Sequence, residues 1–131
     1  MERVLGLSRS LLRLVERVVE VAVVLREVEE ARFREGPEAL VARMRERGLL
    51  TRPRSPAARR RLSSVIHRLD VLLHGEQNCY RRALVLVALD RDAANEPFVL
   101  GLDVPGGGAT GHAWVDGRDA ASTKFDVEFR L

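Results

Sequence analysis

Residues 78–89, NCYRRALVLVAL, decide how the chain is read. Asn78 is a residue type that caps a helix by accepting a backbone N–H, and Ala83, Leu84, Leu86, Val87 and Leu89 then give an apolar helix. Cys79, the only cysteine, falls at its first helical position. A thiol acts as a nucleophile when it is a thiolate, and the unpaired N–H groups of a first turn favour that anion. The alternative is a small apolar residue packed at a helix end, because free cysteine is among the most buried residue types.

Upstream, Leu11, Leu14, Val15, Val18, Val21, Ala22, Leu25 and Val28 recur at three- and four-residue intervals and predict a long amphipathic helix over 8–33. GPEALVARMRERG, residues 36–48, puts Pro37 at a first helical position and Gly48 just past the last, so a second helix is expected to end there. In the loop TRPRSP, residues 51–56, Ser55 is an N-cap and Pro56 the first residue of a third helix. That helix runs through Leu62, Val65, Ile66, Leu69, Leu72 and Leu73 and is stopped by Gly75. Its basic run ARRRL, residues 58–62, reads as a solvated face, since arginine is scattered along the whole chain.

Downstream, DRDAANEP ends the Cys79 helix, and after Pro97 the character becomes that of strands: FVLGLDV, the glycine loop PGGGATG, HAWV, the polar turn DGRDAAS and the terminal KFDVEFRL. Short connections favour antiparallel pairing, with Phe125, Val127, Phe129 and Leu131 on a packed face and Asp126, Glu128 and Arg130 on a polar one. The expectation is an α+β fold in which N-terminal helices precede a nucleophile-bearing helix packed on a small antiparallel sheet.

At 131 residues the length suits one domain, 1–131, with a helical part over 1–74 and the chemistry-bearing core over 75–131. Hydrophobic residues at 46% and charged residues at 31% exclude a disordered chain. The formal charge of +3 is carried almost wholly by arginine, with Lys124 the sole lysine, and does not by itself indicate a polyanion surface, so no nucleic-acid partner is expected. One cysteine forms no internal disulfide and no secretory pattern follows Met1, which predicts a cytoplasmic protein. The most apolar stretch, VVEVAVVL at 18–25, is interrupted by Glu20 and flanked by Arg17 and Arg26, so no membrane segment is expected. One cysteine and three dispersed histidines show no ligand spacing; neither a metal nor another cofactor is predicted.

Candidate partners for the thiol follow from the strands. His112 opens HAWV beside the glycine loop, with Trp114 two residues on and hence on the same face, whereas His67 and His74 read as ordinary surface or satisfied histidines. A hairpin joining GHAWV to KFDVEF with its turn near Asp119 would set residue 112 opposite residue 126. Asp126 would then hold one imidazole nitrogen and leave the other to sulfur; Asp116 is four residues along the strand, about 13 Å away at ~3.3 Å per residue. Asp126 as an exposed polar residue is the competing reading. Cys79, His112 and Asp126 together give a nucleophile, a base and an orienting acid.

NCYRRALVLVALD followed by GGGATGHAWVDG resembles the leader peptidases of lasso-peptide biosynthesis, over roughly residues 75–131. The resemblance implies a transglutaminase-like (papain-like) core with a Cys79–His112–Asp126 triad, and oxyanion donors from the Cys79 backbone N–H and Gln77, the latter also readable as a plain loop residue. It implies a lasso precursor peptide as substrate, a separate leader-recognition protein because residues 1–74 lack the strands of a fused one, and the lasso cyclase as a further partner. A transglutaminase-like transamidase and a non-catalytic peptide-binding scaffold are the alternatives.

Overall fold

The computed structural model describes residues 2–103, 110–116 and 127–131. In chain order these form helices α1 (Glu2–Ala31), α2 (Pro37–Leu49), α3 (Pro56–His74), α4 (Cys79–Leu89) and α5 (Arg91–Asn95), then strands β1 (Phe98–Asp103), β2 (Thr110–Val115) and β3 (Val127–Arg130). The α+β expectation holds, and the helix starts fall where the cap residues put them. The Ser55 side chain accepts from the Ala58 N–H at 3.1 Å, with Pro56 at the first position, and Gly75 closes α3 in the left-handed region at φ 75°.

Helix α4 is the hub. Its residues Ala83 to Leu89 are all buried, and it packs against α1, α2, α3, α5 and β2. Val24, Leu25 and Val28 of α1, Leu40 and Met44 of α2, and Leu62 and Ile66 of α3 close over it in one continuous cluster that reaches Ala113 and Val115 of β2. A helix surrounded on all sides cannot be amphipathic, which is why LVLVAL shows no polar face.

Three sequence expectations are corrected here. Gly48 does not end α2: it lies inside the helix, buried, where a Cβ would stand 1.9 Å from the Val87 carbonyl oxygen, so it is the point of closest approach of α2 to α4. The polar stretch after α4 contains α5, capped by the Asp90 side chain accepting from the Asp92 N–H at 3.1 Å. The apolar stripe of α1 is buried only in its second half: Leu11, Leu14 and Val15 are exposed. Thirty residues make a rod about 45 Å long, and the shorter helices packed beside it cover only part of that length.

The sheet is antiparallel with the order β2-β1-β3. Strand β1 pairs Gly101 with His112 on one side and with Glu128 on the other. β2 and β3 are therefore not neighbours, and the expected hairpin register between residues 112 and 126 does not form. Phe98 and Leu131 exchange backbone hydrogen bonds at 2.9 and 2.7 Å, and the Arg45 guanidinium donates to the carbonyls of Ala94, Glu96 and Leu131, tying α2 to both ends of the sheet-forming segment. The expected division of the last strand into a packed and a polar face is only partial, since Phe129 is 53% exposed while Leu131 packs against the core.

Candidate active site

Cys79 is the first residue of α4, as the sequence implies, and the Asn78 side chain accepts from the Arg81 N–H at 2.9 Å. This turn is held from below by a network that sequence reading missed. The backbone N–H of Asn78 donates to Asp70 Oδ2 at 2.9 Å, and Asp70 Oδ1 accepts from Arg81 Nε. Arg81 then reaches Glu29 on α1 at 2.7 Å and the Glu76 carbonyl at 3.2 Å. Asp70 and Arg81 are both buried, so one guanidinium and two carboxylates bind α1, α3 and α4 together one turn beneath the thiol.

Burial opposes the charge of Arg81, yet the hydrogen bonds from Asp70 and Glu29 outweigh it and raise its pKa further. Burial likewise pushes the Glu29 carboxyl up, and Arg32 and Arg81 more than reverse this, holding it below the ordinary carboxylate value of 4.5. The signal for Asp70 was present in the spacing: the buried residues of α3 are Leu62, Ile66 and Asp70, four apart, so this acid occupies the inward stripe while Leu72 is 77% exposed.

Strand β2 brings the second group. The Ala113 N–H points away from β1 and donates to Cys79 Sγ at 3.4 Å, so the sulfur sits at the outer side of β2, beside the residue that follows His112. Alternation along the strand turns Ala113 and Val115 toward the helices and His112 and Trp114 to the other face, where the two rings stack at 5.6 Å. Cys79 and His112 both line two adjoining cavities of about 600 and 390 Å3.

Asp126 lies outside the described residues. The hairpin argument that singled it out fails, because β1 stands between β2 and β3. Asp116 is engaged elsewhere, accepting from Arg130 at 2.7 Å.

Gln77 lines the larger cavity with Cys79, and His67, as expected, is an exposed histidine with a neighbour at each ring nitrogen. Its Nδ1 accepts from Arg82 Nη1 at 2.9 Å, and arginine can only donate, so Nδ1 carries no proton. In the neutral ring the proton is on Nε2, and the structure sets Gln77 Nε2, also a donor, 2.9 Å from it. Turning the Gln77 amide end for end relieves this donor–donor contact, putting its oxygen toward His67 and leaving the NH2 group to other acceptors. Among the described residues the buried Nε2 of His74 has no hydrogen-bond partner. Among the described residues no three His, Cys, Asp and Glu side chains are grouped to hold a metal ion, and no helix is long and apolar enough to cross a membrane.

Residues 10–126 match the family described as the transglutaminase-like superfamily. No curated protein and no solved structure matches the chain.

Proposed function

Because the chain belongs to the transglutaminase-like superfamily, we propose that it is a cysteine peptidase in which Cys79 attacks, His112 carries protons and Asp126 orients His112. The observation that carries this reading is the thiol at the first position of α4, its sulfur within 3.4 Å of the β2 amide next to His112, with Cys79 and His112 both among the residues that line the same cavities. The imidazole leaves the strand on the sheet face opposite the helices, so this reading requires it to turn around the outer edge of β2 toward the sulfur.

His112 takes the thiol proton as Cys79 Sγ bonds to the scissile carbonyl carbon; the C–N bond then breaks and the proton passes to the leaving amine. Water, giving a proton to His112, cleaves the thioester and the thiol is restored. The Cys79 N–H has no partner within its own helix and is free of the ladder, so it serves the developing oxyanion together with the NH2 of Gln77. Each such donor is typically worth about 2.7–4 kcal/mol.

The substrate in this reading is a lasso precursor peptide, cut between leader and core. Its support is the sequence resemblance over residues 75–131. A separate leader-recognition protein presents the leader, and the lasso cyclase takes the released core. Mixing the protein with such a precursor and its leader-binding partner should release the leader, and Cys79→Ala should release none; undiminished cleavage by that variant removes the mechanism. The mass of the core separates water from an amine as acceptor. Iodoacetamide labelling of Cys79 near pH 6 at the slow rate of an ordinary thiol would favour the inert scaffold instead.

A further inference from the structure

Two cavities meet at the sulfur, one mainly apolar and one that adds a cluster of hydrogen-bond donors. Cys79, His112 and Ala113 line both, so these residues form the ridge between them. On one side the larger cavity, about 600 Å3, is walled mainly by Tyr80, Leu100, Leu102, Phe129 and Leu131, with Glu38 as its one carboxylate among the described lining residues, and Gly101 in the middle of β1 adds no side chain to fill it. On the other side the smaller cavity, about 390 Å3, carries Ser63, His67 and Arg82 beside the apolar Ile66, Ala83 and Leu86.

The polar side is rich in donors and has no carboxylate among its described lining residues. Arg82 spends Nη1 on His67, its Nε lies 3.9 Å from the already engaged Asp70, and its Nη2 makes no hydrogen bond among the described residues. The Ser63 hydroxyl, on the exposed face of α3, is a second donor at the same opening.

A chain whose carbonyl carbon lies against Sγ is extended across the ridge, at about 3.3–3.6 Å per residue, so the residues flanking the attacked bond fall one into each cavity. Resting on the proposed nucleophilic role of Cys79, the geometry points to a peptide substrate that carries a large apolar side chain on one side of the attacked bond and a carboxylate side chain on the other. The apolar side chain fills the Tyr80–Leu100–Phe129 side, and the carboxylate meets Arg82 Nη2 and the Ser63 hydroxyl. Specificity on this view is asymmetric: a peptide with two apolar or two acidic residues at the bond satisfies only one cavity.

The test uses Cys79→Ala protein, which binds without turnover, and four fluorescent octapeptides of Gly and Ser that differ only in a central Phe-Asp, Asp-Phe, Phe-Phe or Asp-Asp pair. One of the two mixed peptides should bind about tenfold more tightly than either uniform peptide by anisotropy. Adding Ser63→Glu should remove the advantage of Asp over a neutral residue, and adding Phe129→Asp should remove that of Phe; both positions are exposed, so the fold tolerates them. Equal affinity for all four peptides, absence of binding by all four, or indifference to both added substitutions overturns the inference. Iodoacetamide labelling of the parent Cys79 is the separate control: slow labelling refutes the nucleophile, while fast labelling with equal peptide affinities refutes only the two-sided specificity.

Discussion

Gln77 illustrates how far single-residue chemistry reaches. Position alone leaves it a loop glutamine two residues before the thiol, but the donor count along Arg82–His67–Gln77 fixes which end of its amide is occupied. Gln77→Ala should therefore lower kcat on the precursor by about 10²-fold with little change in KM, the loss expected for one oxyanion donor. His67→Ala leaves the amide in place but lets it turn, and should cost about tenfold, the scale of the glutamine rotamer freedom that is restored. Combined, the two substitutions should cost no more than Gln77→Ala alone. Additive losses would show that His67 acts on the reaction independently of Gln77.

Elements are placed by two contacts that carry opposite lessons about substitution. At Gly48, alanine would be favoured by helix propensity by about 1 kcal/mol. Its Cβ, however, would meet Val87 O at 1.9 Å and Ala94 Cβ at 2.8 Å, both on packed elements that cannot step aside singly. Overpacking typically costs about 1–3 kcal/mol, so Gly48→Ala should lower Tm rather than raise it. At Asp70, alanine leaves the buried Arg81 with Glu29 as its one remaining carboxylate and the Asn78 N–H without its acceptor. A loss of about 3–5 kcal/mol is expected in denaturant unfolding. The double variant Asp70→Ala, Arg81→Leu should lose less than Asp70→Ala, since no unpaired charge stays buried. Slow thiol alkylation in Asp70→Ala protein that remains folded would tie the network to the setting of the α4 turn as well as to stability.

For the whole molecule, the three-helix ion network makes stability depend on acid. Glu29 has a folded pKa below its ordinary 4.5, so it binds protons more weakly folded than unfolded. Its contribution is fully present above that value and is lost as pH falls through the lower folded pKa. The midpoint of urea unfolding should hence fall below about pH 4.5, and the fall should be shallower in Glu29→Gln. Sequence by itself determined what depends on near neighbours: the caps Ser55 and Asn78, the stop at Gly75, the thiol at the start of α4 and the three short strands. These are set by hydrogen bonds within a few residues and by hydrophobic period, which any reading of the chain contains. Tertiary structure decided the rest. Only packing distinguishes Gly48 as a helix crossing from Gly48 as a helix stop, turns Asp70 inward and Leu72 outward, and leaves Leu11 and Leu14 exposed. Strand order belongs to the same class, because adjacent strands in sequence pair equally well on paper whether or not a third lies between them. With β1 inserted between β2 and β3, the sheet row at His112 runs through Gly101 to Glu128, a long-range pairing that no local pattern encodes.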